Sequence, residues 1–136
     1  MKFHSFEPLM QLEGRQICSK CKQRRKFFCY ECCVPMTEGT PQLTLPVDFL
    51  VVKHPKEKIG KSSIMASKAL APEHVTIHQS FDTPDFDYDS TILLFPADDS
   101  VPLNDMSKQD LEGIKTVVLI DSTWNQTKRF MAEEEF

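Results

Sequence analysis

Three compact apolar runs punctuate the chain: Val47–Lys53, Thr91–Pro96 and Lys115–Asp121. Each is short and bounded by proline or polar residues, which predicts a strand rather than a buried helix. Apolar residues are consecutive in "FLVV", "ILLF" and "VVLI", without alternation. That pattern predicts strands buried on both faces, as in a parallel sheet. A shorter β-rich run, "HVTIHQS", lies between the first two. The intervening segments turn helical. "GKSSIMASKALAPE" reads as loop then helix, with Ser62 or Ser63 as cap and Pro72 closing it. "LNDMSKQDLEGI" reads as a helix starting near Asn104 or Asp105, and "TWNQTKRFMAEEE" begins another after the last strand. Pro55 biases His54 away from helix and ends the first strand there. "FEPLMQLE" holds a helical turn, and "FDTPDFDYDS" reads as an acidic surface loop. The alternation of strand and helix predicts an α/β fold.

At 136 residues the chain makes one domain with a small N-terminal module. Composition divides it into a cysteine module over residues 1–36, a Pro- and Thr-containing connector over 37–46, and the α/β part over 47–136. No apolar run reaches the length of a membrane span, and "MKFHSFEPLM" lacks the apolar core of a signal peptide. The expectation is an intracellular protein that does not enter a membrane.

The net charge of −4 hides an asymmetry. Residues 1–68 carry 12 Lys/Arg against 6 Asp/Glu, whereas residues 69–136 carry 4 against 14. A basic front suggests an anionic partner, with plain solvated charge as the alternative.

All five cysteines fall within "CSKCKQRRKFFCYECC". An odd, clustered count argues against a disulfide framework. Cys18-x2-Cys21 and Cys29-x2-Cys32 form two knuckles whose four thiolates can meet around one tetrahedral zinc. Four thiolates leave no open position, so such a site is structural. Cys33 is spare or an alternative to Cys32. Lys20, Lys22, Arg24, Arg25 and Lys26 lie between the knuckles, next to Phe27, Phe28 and Tyr30. Cations interleaved with aromatic faces suit RNA, because phosphates pair with the former and unstacked bases lie on the latter. The other reading is that the cations neutralise the thiolates and the aromatics roof a small core.

The predicted strands end in "KHPKEKIGKSS", "FPADDS" and "DSTW". In an open parallel sheet such ends share one edge, where ligands bind. His54, Glu57, Lys61, Ser62, Ser63 and Asp121 can converge there. Turn filling, solvation and helix capping explain each of them singly.

"DSTW" followed by "NQT" resembles the signature of the DTW domain family, and "VKHPKEKIGKSS…LAPE" resembles its His-Pro-x-Glu block. "LLFP" and the paired CxxC module resemble two further blocks, in family order, from Cys18 to about Phe130. The resemblance implies a SPOUT-like knotted parallel-sheet fold behind a four-cysteine zinc knuckle, in an intracellular, nuclear protein. It implies a tRNA-uridine aminocarboxypropyltransferase. Such an enzyme moves the 3-amino-3-carboxypropyl group of S-adenosylmethionine to N3 of a uridine in the tRNA D-arm. Asp121 would then take the N3 proton as base. Trp124 would stack on the base or the adenine, or merely pack. Ser122, Thr123 and the loop holding His54, Glu57 and Ser63 would grip the donor's carboxylate, amine or ribose. Two departures stand out. Ala97 follows "FP", where the family commonly has glycine, and family members continue well beyond the DTW signature. A form lacking that remainder would be a catalytically inactive zinc- and RNA-binding product. A third reading is an unrelated zinc-ribbon interaction protein.

Overall fold

The structure is a computed structural model that describes residues 7–79 and 85–132. A single turn, α1 (Glu7–Met10), precedes two small antiparallel hairpins. One pairs β1 (Gln16–Ile17) with β2 (Arg24–Arg25), and the other pairs β3 (Phe28–Cys29) with β4 (Val34–Pro35). Two-residue strands bury too little to stand alone. Each hairpin instead turns through one CxxC pair. The residue after each pair, Lys22 (φ 63°) and Cys33 (φ 50°), takes the left-handed backbone. Neither is glycine, so each turn holds a conformation that costs roughly 1–2 kcal/mol. The two knuckles are thus built alike and need something beyond local propensity to hold them.

The α/β part runs β5 (Asp48–Lys53), α2 (Ile64–Leu70), β6 (Val75–His78), β7 (Thr91–Leu93), α3 (Lys108–Gly113), β8 (Thr116–Asp121) and α4 (Trp124–Ala132). Its four strands are all parallel, in the order β6-β5-β8-β7. The parallel α/β sheet is the one expected from the unbroken apolar runs, but "VTIH" supplies a full fourth strand at one edge. Its half-polar character follows from that edge position, where Thr76 faces solvent.

The helix expected to start at Asn104 or Asp105 starts later. Those residues form a short 3-10 turn, and Ser107 caps α3 by accepting from the Asp110 N–H at 3.1 Å. The Ser107 hydroxyl donates to the Asp110 carboxylate at 2.6 Å, so cap and acid hold each other in the manner of a capping box. Strand β7 also stops short of Pro96, which has no N–H for the ladder. The expected acidic loop lies partly outside the described residues. Within them, Asp87 closes a turn by accepting from the Asp89 N–H and the Ser90 hydroxyl.

The core has two sides. Val51, Ala71 and Val75 pack on the α2 side with Phe49, Ile77 and Leu119 around them, and Val52 and Val118 pack on the other. Burying each of these valines contributes roughly 1.5–3 kcal/mol, so the centre of the sheet is its firm part. The cysteine-module strands β3 and β4 pack against α2. Gly60 lies so close to Tyr30 that a Cβ there would stand 3.6 Å from the ring. Strand β5 feeds outward to β6, while β8 is fed from β7 on the other side. Strands β5 and β8 are neighbours at the centre of the sheet, so their carboxyl ends lie side by side on the edge where open α/β sheets hold ligands.

Candidate functional site

The sulfurs of Cys18, Cys21, Cys29 and Cys32 all lie within 4.8 Å of one another, with Cys21 and Cys29 at 3.5 Å. Zn–S bonds of about 2.3 Å in a tetrahedron set sulfurs roughly 3.8 Å apart, so the cluster fits a metal ion of that kind. Cys18 and Cys29 are fully buried. The Cys21 and Lys20 backbone N–H groups point at Cys18 and pull its thiol pKa down to about 6. Burial, with the neighbouring thiols, pushes that of Cys32 up to about 12. Four thiols this close cannot all ionise without a cation among them. Cys33 stands apart from the cluster, its sulfur 3.7 Å from that of Met65 on α2. The fourth position is therefore Cys32, and Cys33 ties the module to the α/β part.

The second site forms where β5 and β8 end. Lys53 and Asp121 are register partners, and the His54 N–H donates to the Asp121 carbonyl at 3.1 Å. Ser62 is buried and donates its hydroxyl to Asp121 Oδ2 at 2.6 Å. Oδ1 has no protein partner among the described residues. The loop that delivers Ser62 is fixed from below: Lys53 is wholly buried and donates its ammonium to the Glu57 carbonyl. Glu57 N–H donates to the His54 carbonyl at 2.9 Å, and Lys56 N–H donates to His54 Nδ1 at 3.1 Å. His54 is buried, which lowers its pKa, and the nearby Lys56 lowers it further. Its neutral ring accepts at Nδ1, a bond that protonation of that nitrogen would break.

Beyond Asp121 the chain turns into α4. Thr123 stands at the N-cap, and its N–H donates to Gln126 Oε1 at 2.9 Å, one half of a capping box. The buried Thr127 hydroxyl meets the Ser122 hydroxyl and donates to the Thr123 carbonyl. Trp124 is 66% exposed, its ring 6.3 Å from that of Phe95. A cavity of about 540 Å³ opens here, lined by His54, Lys56, Asn125, Gln126 and Lys128. An apolar groove of about 590 Å³ runs beside β7, between Ile92–Pro96 and Ser100–Met106.

Of the residues singled out from sequence, the structure brings His54, Ser62 and Asp121 together. Ser122 and Thr123 are adjacent, but the Ser122 hydroxyl is engaged with the helix start. Glu57 contributes its backbone to the loop. Ser63 is exposed at the N-cap of α2 without a side-chain capping bond, and Lys61 is exposed. Lys56, Asn125, Gln126 and Lys128 line the cavity without having been singled out. "NQT" directly after "DSTW" was the available signal for the two amides.

The basic segment is divided between two places. Lys20 and Lys22 belong to the first knuckle, where Lys22 donates to the Ser19 carbonyl at 2.6 Å. Arg24, Arg25 and Lys26 form a separate face with Arg15 and the aromatics.

Parallel sheet, cysteine cluster and a clamped strand-end aspartate in "DSTW" define a class, and comparison agrees. The DTW domain family matches residues 15–136, and the chain belongs to it. Among curated proteins it is similar to tRNA-uridine aminocarboxypropyltransferase 1 of Xenopus laevis, at 31% identity over 93% of this chain and 58% of that protein. The Mus musculus protein of the same name is 31% identical over 91% of this chain and 56% of its own. tRNA-uridine aminocarboxypropyltransferase 2 of Drosophila melanogaster is 28% identical over 87% of this chain and 49% of its own. The chain thus spans a little over half the length of the first two. No solved structure matches it. No described helix is long and apolar enough to cross a membrane.

Proposed function

We propose that this chain carries the metal module and the base-bearing part of a tRNA-uridine aminocarboxypropyltransferase. The group transferred is the 3-amino-3-carboxypropyl group of S-adenosylmethionine, and the acceptor is N3 of a uridine in the D-arm. The observation that carries this reading is Asp121 of "DSTW", clamped by Ser62 beside a cavity at the carboxyl edge of the sheet. The family membership and the names of its relatives support the reaction class.

When bound, the donor supplies a sulfonium-activated γ-carbon and leaves as 5′-methylthioadenosine. Asp121 Oδ1 is the acceptor for the N3 proton of the incoming uridine, while Ser62 holds Oδ2 and so orients the carboxylate. Lys56 and Lys128 give the cavity positive charge for the donor's carboxylate, and Asn125 and Gln126 supply amide contacts. Trp124 offers an exposed ring for a base or adenine. Ser122 and Thr123 act by shaping the turn, with His54, Glu57 and Ser63 completing its rim. Cys18, Cys21, Cys29 and Cys32 would hold zinc, which would pin the two hairpins of the module to each other. Lys20, Lys22, Arg24, Arg25 and Lys26 face the RNA backbone. The fold class proposed for the complete sheet is SPOUT-like, and the compartment is the nucleus.

A second reading, favoured by the four-cysteine cluster and the basic, aromatic face beside it, is a zinc- and RNA-binding protein without transferase activity. Nucleoside mass spectrometry separates the two. The 136-residue chain, and the chain extended with the remaining segment of the Xenopus laevis relative, are each incubated with tRNA and S-adenosylmethionine. We expect aminocarboxypropyl-uridine from the extended protein. Product from neither, with tRNA bound by both, favours the second reading.

A further inference from the structure

We propose that the pocket on the outer face of the zinc module takes one unpaired RNA nucleotide, its phosphate on Arg25 and its base against Phe27. This rests on the reading of the chain as an RNA-modifying protein and specifies how the module would meet RNA.

The pocket measures about 210 Å³ and is walled by Arg15, Arg24, Arg25 and Lys26, with Phe27, Phe28 and Tyr30 as its aromatic lining. No acid lines it. Among the described residues none of these four cations forms an ion pair.

Arg25 carries the argument. Its guanidinium lies 4.0 Å over the Tyr30 ring and donates from Nη1 to the Arg24 carbonyl at 3.2 Å. Stacked and tethered, it cannot turn freely toward solvent. Its Nε is buried and has no acceptor. Arg25 lines the pocket without an ion-pair partner among the described residues, so an anionic oxygen entering there would meet a charge-assisted donor. Beside it Phe27 is 45% exposed, with the Lys26 ammonium 5.1 Å from its ring centre. An exposed aromatic face next to a phosphate-directed cation suits a base that is free to stack. Paired bases in an A-form helix keep their faces buried in the stack. A single strand or loop therefore fits, and a continuous duplex does not. An acidic peptide would satisfy Arg25 but has no use for the Phe27 face.

The test uses the zinc-loaded 136-residue chain without donor, so that it stands apart from transferase activity. Binding is measured for a hexauridylate, for a duplex RNA of the same length and for a glutamate hexapeptide. Variants Phe27→Leu and Phe27→Tyr are compared at constant zinc content. We expect the single strand to bind most tightly. Phe27→Leu should weaken it about tenfold with an unchanged salt slope, as loss of one stacked base does, and Phe27→Tyr should restore it. Equal binding of the duplex or of the peptide would overturn the proposal, as would equal loss in both Phe27 variants or loss in neither. Oligouridylate binding by a protein that never modifies tRNA would leave the pocket standing and remove the transferase reading alone.

Discussion

Ser62 reaches across 59 residues of sequence to hold the carboxylate of Asp121, hydroxyl to Oδ2 at 2.6 Å. One partner comes from the loop after β5 and the other from the end of β8, so only the closed parallel sheet can form the pair. The contact fixes one oxygen, and the other has no protein partner among the described residues. Ser62→Ala should therefore let the carboxylate rotate. In the extended protein we expect kcat to fall about tenfold with tRNA affinity unchanged. Steady-state kinetics decide it, and a pure KM effect would place Ser62 in substrate binding instead.

Metal binding should separate the two adjacent cysteines. Cys32→Ser should lose the ion and unfold the hairpins, because the unstable two-residue strands draw their folding energy from the metal. Cys33→Ser should keep one zinc per chain, since its sulfur lies against Met65 and outside the cluster. Elemental analysis of protein purified without added metal reads both. A full zinc complement in Cys32→Ser would show that Cys33 substitutes for it.

His54 should titrate below the ordinary histidine value of about 6.5, because burial disfavours its charged form. The unfolded chain then binds more protons than the folded one between the two values. Stability is full above about pH 6.5 and falls as pH drops toward the lowered folded value. Protonation at Nδ1 also removes the Lys56 bond and loosens the loop that carries Ser62. An imidazole NMR titration with its midpoint at or above about 6.5 would contradict this.

The basic face should carry much of the salt dependence of tRNA binding. Replacing Arg24, Arg25 and Lys26 with Ala should reduce the slope of log affinity against log salt by about 2 to 3, the counterions released by three phosphate contacts. An unchanged slope would mean that these cations do not meet phosphate.

Much of this arrangement was legible in the sequence, for physical reasons that differ by element. The four-cysteine cluster follows from the CxxC spacing, because each such turn is local, whereas the choice of Cys32 over Cys33 needed the packing of Cys33 on Met65. The central strands showed as unbroken apolar runs because both of their faces are buried, whereas edge position blurred β6. Asp121 could be placed at a strand tip, but Ser62 was only one of several residues able to converge on it. That Ser62 is buried and Ser63 exposed is set by where α2 begins and by the Lys53 anchor on Glu57. Lys56 and Lys128 are long cations indistinguishable in sequence from solvated ones, and the sheet alone brings them to one cavity. The helix expected near Asn104 or Asp105 starts after Ser107 instead, because Ser107 has an acid three residues on to complete its cap.

Asp121 as the base is most directly tested by Asp121→Asn in the extended protein, read by mass spectrometry of tRNA nucleosides. The substitution keeps size and the Ser62 contact but cannot accept the uridine proton. Binding of tRNA and of S-adenosylmethionine should persist while aminocarboxypropyl-uridine formation falls by roughly 10²–10⁴. Undiminished product from the asparagine variant would contradict the account.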